Sequence, residues 1–487
     1  MEYQTFQNYA QHYPTVPVYR KVLSDLMTPV SAYLRLCSNA RDSALLESVE
    51  EGRHLARYSY IGRDPRVRLT HHLGETRIET NSETHISDKP FIDLLREYSS
   101  QYHIPEVADI PTFSGGWIGY HGYETIQWME EVPVYEAEEN DVPDAIFMLF
   151  DTLVIFDHVK RETIVTRNVQ IDDSLSLEEQ YNAAVDVIDA VLGDLRCEVR
   201  PGTESVKGNG ELRSNMSEAE FNRAVEAAKE HIVAGDVFQL VLSQRFQRVT
   251  EAAPFSVYRA LRNVNPSPFM FYLDLDGFQI IGASPEVLVK VEGRDMEVRP
   301  IAGTRPRGDT VEEDNAYAEE LVGDEKERAE HLMLVDLARN DVGRVCKYGS
   351  VHMDSFMTVE RYSHVMHIVS DVRGTLEDGK DALDALLAGF PAGTVTGAPK
   401  IRAMEIIHDL EPSRRGIYSG SVGYIDFHGN LTTCIAIRTM LMRDNVVSFQ
   451  SGAGIVYDSI PEREYEETKN KAMAIMRAID FAERGLQ

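Results

Sequence analysis

The 487-residue sequence predicts an α+β protein built of antiparallel strands and separate helices, and three observations predict it. Between Gly416 and Asp458 short apolar runs alternate with the polar turns HGN and RDN, the pattern of a meander. Helical periodicity with capping signals recurs in separate stretches of the second half. GGWIGYHGYE in the first half echoes SGSVGYIDFHGN in the second, which suggests an internal duplication.

In chain order, ARYSYIGRDPRVRLT, PTFSGGWIGY and DAIFMLFDTLVIFDH read as strands, and LSLEEQYNAAVDVIDAVL as an acidic helical stretch. Residues 193–216, GDLRCEVRPGTESVKGNGELRSNM, hold four Gly and one Pro and no sustained apolar period, so the domain boundary is placed there. It separates an N-terminal region, 1–200, from a region 216–487; the two can interleave in one composite fold. Ser217 and Glu220 form a capping-box pattern, and Phe221, Val225, Ala228 and Ile232 then recur at helical spacing up to Gly235. The strand VFQLVLSQRF follows. DEKERAEHLMLVDLARNDVG is a second helix, acidic in its first turn as the helix dipole prefers, and PKIRAMEIIHDL a third, with Pro399 suited to the first helical position. IYSGSVGYIDF, LTTCIAIRTMLM and VVSFQSGAGIVY are the strands of the meander, and the last helix opens near Ser459 and Pro461.

Composition narrows the function. A formal charge of −30 repels phosphate backbones and anionic lipid, which argues against nucleic acid or membrane as partners. No apolar run approaches the ~20 residues of a membrane helix, and the start MEYQTFQNYAQHYP lacks the order of a signal peptide, so a cytoplasmic protein is expected. Cys37, Cys197, Cys346 and Cys434 form no CxxC pair and are expected to be reduced and buried.

Several constellations can carry chemistry. Arg299, Arg305 and Arg307 in VRPIAGTRPRG suit either an anion or a basic surface turn. Glu464, Glu467 and Lys471 share one face of the last helix, as a solvated Glu467–Lys471 pair or, with Glu330 of another helix, as oxygen ligands for Mg²⁺. SGAG, 451–454, is expected to leave a strand into a turn, and FPAGTVTGAPK to lead into a helix; both offer backbone amides to an anion, and neither has a nucleotide-binding spacing. Arg438 alternates with Thr432, Cys434 and Ala436 on a predicted inner strand, where it needs an internal or a bound carboxylate. By spacing alone His367 is a core histidine before a catalytic one, and Glu286 is a strand-end carboxylate or a polar cap.

PIAGTRPRG, EHLMLVDLARND, RYSHVMH, GTVTGAPKIRAMEII, IYSGSVGY, AIRT and SGAGIVYDSIPEREYEETKNKA, in one order over residues 216–480, resemble the chorismate-utilising enzymes, on the branch whose large subunits form anthranilate. LLES, 45–48, and NPSPFM, 265–270, resemble that branch's tryptophan feedback site. The resemblance implies antiparallel sheets stacked at the centre with helices outside. It implies Mg²⁺ on Glu330 and Glu467, and chorismate on Gly303, Thr304, Tyr418, Arg438, Gly452, Ala453 and Gly454. Glu286, His367 and Thr304 form the implied catalytic group, and Ser48, Pro268, Phe269 and Met270 the implied tryptophan site. The implied reaction is conversion of chorismate and ammonia to anthranilate and pyruvate in tryptophan biosynthesis, with feedback by tryptophan.

No cysteine sits in a glutaminase motif, so ammonia is expected from solution or from a separate glutamine amidotransferase subunit. Two positions separate the relatives. Water-using members carry a base, Lys, where Gln239 stands, and aminodeoxychorismate synthases commonly carry a nucleophilic Lys in place of Ala302. Phe269 departs from a Tyr common in the feedback motif. The alternatives are the large subunit of an aminodeoxychorismate synthase and a non-catalytic sensing or scaffold subunit.

Overall fold

Alternating apolar residues fold into antiparallel strands throughout the computed structural model, which describes residues 1–487 except 39, 49–56, 81, 139–140, 199–204, 207, 209 and 363–364. The first half contains α1 (Tyr3–Ala10), β1 (Thr15–Leu23), α2 (Pro29–Leu36), β2 (Asp42–Glu47), β3 (Tyr58–Arg63), β4 (Val67–His72), β5 (Glu75–Thr80) and β6 (Thr84–Ser87). It continues with α3 (Phe91–Ser99), β7 (Gly116–His121), β8 (Ala145–Phe150), β9 (Thr152–Asp157), β10 (Glu162–Gln170) and α4 (Leu177–Asp194). The second half opens with β11 (Arg213–Ser214), α5 (Glu218–Ala234), β12 (Gln239–Val249), α6 (Pro254–Val264), β13 (Phe269–Leu275), β14 (Phe278–Ser284), β15 (Val287–Glu292) and β16 (Asp295–Val298). Then come β17 (Ile301–Pro306), α7 (Val311–Gly323), α8 (Glu325–Gly343), β18 (His352–Arg361), β19 (Val365–Thr375), α9 (Ala382–Gly389), β20 (Gly397–Ala398) and α10 (Lys400–Leu410). The chain closes with β21 (Ser421–Asp426), β22 (Leu431–Ile435), β23 (Thr439–Arg443), β24 (Val446–Ile455) and α11 (Pro461–Glu483).

The first sheet has the order β1-β10-β9-β3-β2-β13-β14-β23-β24-β12-β11, with β20 also on β12; the second has β17-β19-β16-β15-β22-β21-β7-β8-β4-β5-β6, with β18 also on β19. The sheets stack over a shared apolar layer that includes Tyr120, Phe150, Ile155, Phe271, Leu273, Ile280 and Val422. Helices α2, α4, α6 and α11 bury their apolar faces with the outer face of the first sheet, and α3, α8 and α9 with that of the second. This is the expected α+β architecture of stacked antiparallel sheets.

The strand orders also contain a repeat. β1-β10-β9-β3-β2 recurs as β12-β24-β23-β14-β13, and β5-β4-β8-β7 recurs as β16-β15-β22-β21, each set met in the same chain order. By position α1, α2, α3 and α4 correspond to α5, α6, α9 and α11. The halves join along β2–β13 and β7–β21, so strands from both sides of the predicted boundary occupy both sheets. The echoing GxxGY segments are β7 and β21 themselves, paired antiparallel with Gly119 opposite Gly423. A Cβ on Gly119 would lie 2.1 Å from the Ile146 carbonyl oxygen, and one on Gly423 2.1 Å from that of Thr432. We expect Gly423→Ala to cost about 1–3 kcal/mol, the usual price of overpacking, read as a lower midpoint in denaturant unfolding; an unchanged midpoint would show that β22 gives way to a side chain at this position.

Between β16 and β21 the second half adds β17, α7, α8, β18, β19, β20 and α10, for which the first half has only β6 besides α3. Gly303, Thr304, Glu330 and His367 all lie on this addition.

Local signals were accurate where they involve a cap. The Ser217–Glu220 box is formed, with Ser217 N–H donating to Glu220 at 2.8 Å and Glu220 N–H to Ser217 Oγ at 3.3 Å, and Gly235 ends the helix at φ +84°. Pro461 opens α11, whereas Pro399 sits at the N-cap of α10 and not inside it. LTTCIAIRTMLM is two strands rather than one, because the chain passes from the second sheet to the first between Ile435 and Thr439. Cys37, Cys346 and Cys434 are buried, but Cys197 lies beyond the end of α4 and is exposed. Residues 199–204, 207 and 209 of the expected boundary, and Ser363 and His364 of RYSHVMH, lie outside the described residues.

Candidate active site

Two sheet-to-sheet crossings build the centre of the site. One runs from β14 to β15 and carries Glu286; the other runs from β22 to β23 and carries Arg438. Ile435 N–H donates to the Glu286 carbonyl at 3.0 Å, and Ala283 N–H to the Arg438 carbonyl at 3.2 Å, which locks the corners together. Arg438 is therefore an exposed corner residue at φ +50°, not an inner-strand residue, and needs no buried carboxylate for that reason. Its charge still acts on Glu286 and His367.

The Glu286 carboxyl is buried, and burial pushes it up to about 8, against the opposing pull of a hydrogen bond from Thr394 and of the Arg438 charge. Thr394 Oγ1 donates to Glu286 Oε1 at 3.0 Å from a single 3₁₀ turn, Gly393–Val395. Glu286 thus holds a proton at neutral pH. Thr394 was not singled out from the sequence, although it stands in the GTVTGAPK motif; nothing local indicates that its hydroxyl turns toward a corner 108 residues earlier.

His367 of β19 places Nδ1 at 2.8 Å from the Gly303 carbonyl oxygen and 3.1 Å from Thr304 Oγ1. The bond to a carbonyl requires the proton on Nδ1, which leaves Nε2 as an acceptor. Burial holds the ring below its ordinary range, so it is neutral at pH 7. Gly303 and Thr304 occupy a bulge where the β17–β19 register slips between Ala302 and Arg305. Gly303 has φ +66°, and a Cβ there would meet Leu321 at 2.9 Å and Glu327 at 3.0 Å. Ala302 is buried in the ladder opposite Ile368. The three arginines around it do not await an anion: Arg299 pairs with Asp371 and Glu360, Arg305 with Glu320, Asp324 and Glu327, and Arg307 with Asp314.

Gly452, Ala453 and Gly454 lie inside β24 and not in a turn after it, opposite Ser243, Leu242 and Val241 of β12. On the other side β23 pairs β24 only up to Phe449, because the chain turns away at Arg438. Beyond Phe449 that edge of β24 is left without β23, so an open edge of strand, rather than a turn, presents these backbone groups. The glycines admit neighbours: a Cβ on Gly452 would stand 2.7 Å from the Tyr418 hydroxyl, and one on Gly454 2.7 Å from Gln239 Nε2. Tyr418 is buried beside the Arg415 guanidinium, which lies 5.5 Å from its ring centre and is neutralised by Glu411.

A carboxylate group faces this edge. Gln239, at the start of β12, donates to Glu330 of α8 at 3.2 Å. Burial raises Glu330 above the usual carboxylate range, and Glu327 and Glu467 add to the rise while Gln239 opposes it. On α11, Glu467 pairs with Lys471 at 2.8 Å, the predicted i,i+4 contact, and Lys471 also donates to the Gly452 carbonyl at 2.9 Å. Glu464 on the same face is raised by burial and by Glu467. Among the described residues no three His, Cys, Asp or Glu side chains converge closely enough to hold a metal ion by themselves.

Contacts and electrostatic influence therefore run unbroken from Thr304 through His367, Arg438 and Glu286, and from Tyr418 through Gly452 and Lys471 to Glu467, Glu330 and Gln239. The residues expected for tryptophan form a second group. Met270 of β13 pairs with Glu47 of β2, which brings Ser48 alongside Phe269 and Pro268. Ser48 Oγ and Asn265 Nδ2 there are buried without a hydrogen-bond partner among the described residues. Phe269 pairs across β13–β14 with Ser284, two residues from Glu286.

With this geometry in hand, the chain matches the chorismate binding enzyme family over residues 42–477. It is 46% identical over 479 residues to anthranilate synthase component 1 of Aquifex aeolicus, covering 97% of this chain and 96% of that protein. It is 47% identical over 496 residues to the Synechocystis protein of the same name, covering 97% and 98%. The crystal structure of anthranilate synthase component I from Streptococcus pneumoniae superposes with a TM-score of 0.76 at 36% identity, over 93% of this chain and 98% of that one. The menaquinone-specific isochorismate synthase from Escherichia coli shares the fold, with a TM-score of 0.71 at 18% identity over 98% and 100%. This chain belongs to the chorismate binding enzyme family.

Proposed function

We propose that the chain is the chorismate-binding subunit of an anthranilate synthase, a cytoplasmic lyase that turns chorismate and ammonia into anthranilate and pyruvate. The observation that carries this reading is the Gln239–Glu330 hydrogen bond. An amide cannot take a proton from water, so the group beside the carboxylate is no hydrolytic base, and ammonia, already a nucleophile, needs none. Ala302, a buried methyl, offers no covalent alternative.

Glu286 is the acid: its proton goes to the allylic hydroxyl, which leaves as water while ammonia bonds to the ring carbon beside the carboxylated one and then sheds one proton to leave a neutral amine. His367, neutral and held by Gly303, orients that hydroxyl together with Thr304 and Thr394. A ring proton is then lost, the ring becomes aromatic, and the bond to the enolpyruvyl oxygen breaks with its electron pair on oxygen. Enolpyruvate takes a proton at carbon to become pyruvate. Arg438, Tyr418 and the Gly452–Gly454 edge receive the enolpyruvyl carboxylate.

The donor set suits Mg²⁺. Glu330, Glu467 and Glu464 supply only oxygen, and the Glu467 charge adds to the rise that burial gives both Glu330 and Glu464, a negative crowding that a cation would relieve. Bound there, Mg²⁺ would neutralise the ring carboxylate and draw electron density toward it. A separate glutamine amidotransferase subunit is the proposed source of ammonia, and the orphaned Ser48 and Asn265 groups support a tryptophan site with Pro268, Phe269 and Met270.

Chorismate, Mg²⁺ and ammonium incubated with the purified chain should yield fluorescent anthranilate and pyruvate in equal amounts; no product would sink the proposal. Ala302→Lys should depress anthranilate formation or trap a ring adduct detectable by intact mass. Added tryptophan should inhibit and release heat on binding, and silence in both measurements would remove the feedback site.

A further inference from the structure

The apolar layer between the sheets stops short on one side. In the first half Leu153 and Ile155 of β9 and Ile164 of β10 complete it. Their counterparts β23 and β24, with β12, turn Thr439, Arg443, Ser448, Gln450 and Arg245 to the same face, interleaved with Leu441 and Val446, and a cleft of about 340 Å³ opens there. The other face of these strands is apolar, with Phe246, Met440, Met442, Val447 and Phe449 buried in the core beneath α6 and α11. The two-residue alternation therefore places polar side chains on the cleft side of each strand, and the opening is not a packing defect.

The cleft runs from solvent to Tyr418 of the candidate active site. At its mouth the Asp444 side chain is 87% exposed, and at its floor Gln450 and Tyr418 are 6% and 8% exposed. Tyr418 is the partition: it lines the cleft, and its hydroxyl reaches Gly452. Thr439 and Gln450 adjoin Arg438 and Ser451 in the chain. The cleft thus abuts the end of the site that the proposed function gives to the enolpyruvyl carboxylate.

Its charge selects the cargo. Arg414 pairs with Asp141 and Asp144, and Arg443 with Asp444. The Arg245 guanidinium on the wall has no ion pair or hydrogen bond among the described residues. In a chain of charge −30, a partly buried unpaired cation suits a small anion and repels ammonium. Resting on the proposed function, we infer that this cleft is the exit site for a small 2-oxo carboxylate, the pyruvate released from the ring, with Arg245 as its charge partner.

The test uses Arg245→Gln, Arg245→Lys and Ser448→Trp in the purified full chain with chorismate, Mg²⁺ and ammonium. Arg245→Gln should weaken inhibition by added pyruvate about tenfold, as expected for loss of a charge-assisted hydrogen bond, and Arg245→Lys should retain it. Ser448→Trp, which fills the cleft, should make its first equivalent of anthranilate at the parent rate and then slow severalfold, giving a fluorescence burst. Pyruvate inhibition unchanged in Arg245→Gln together with no burst in Ser448→Trp overturns the inference. So does loss confined to glutamine-supported turnover with an amidotransferase subunit present, since the cleft would then carry nitrogen inward. A parent chain that makes no anthranilate fails the proposed function itself, a different result from any of these.

Discussion

Glu286→Gln should lower the rate of anthranilate formation by about 10²–10⁴-fold, the usual contribution of a positioned general acid, with little change in fold. Gln keeps the length of the side chain and accepts the Thr394 hydroxyl bond, but has no proton to give the leaving group. The pH profile gives the sharper test. Burial pushes the Glu286 carboxyl up to about 8, so the acid form dominates at neutral pH and disappears as pH rises through that value. The rate should fall on the alkaline side near pH 8, and the residual rate of Glu286→Gln should lack that limb. Stability carries the same signature. Between the ordinary value of 4.5 and about 8 the unfolded chain ionises this group and the folded chain does not. Stability from this residue therefore declines with rising pH across that window, and the substitution should remove the slope. An alkaline limb that survives in Glu286→Gln would assign the proton to another group.

Glu330→Gln should reduce turnover by about 10²-fold or more, since a metal ligand supports several kcal/mol of charge stabilisation and each 1.36 kcal/mol is a factor of ten. Gln239 can still bond to the amide, so the α8–β12 contact survives and the loss should appear in the Mg²⁺ dependence before it appears in unfolding curves. Glu467→Gln should behave alike. It also frees Lys471 from its partner, so a rise in Mg²⁺ requirement without loss of Lys471 packing on Gly452 is the expected pattern. Full activity in either variant would strike that residue from the ligand set.

What the sequence made legible was local or repetitive. Capping boxes, the acidic first turn of α8 and the Glu467–Lys471 pair depend on residues three or four apart, where chain geometry alone dictates contact. The GxxGY echo survived because each half packs its glycine tightly against its own next strand, Gly119 against Ile146 of β8 and Gly423 against Thr432 of β22, with no room for a side chain. The misread segments have two causes. SGAG reads as a turn because glycines favour one, yet these glycines lie inside β24, where close neighbours leave no room for a Cβ. LTTCIAIRTMLM reads as one strand by alternation along the chain, and alternation continues whether a strand stays in its sheet or crosses to another. Arg438 was put inside a strand on that ground, yet the sheet change makes it a corner. Thr394 and the pairing of all three loop arginines depend on partners brought in by tertiary packing, which spacing does not record.

The seams between the halves have a further consequence, for how this chain can be cut. Because β2 pairs with β13 and β7 with β21, severing the backbone near residues 205–212 would leave each fragment with two raw strand edges and half of a shared apolar layer. Neither piece is expected to fold alone. Produced together, they should recognise each other through those edges and assemble into a nicked but active protein, the first fragment serving as template for the second.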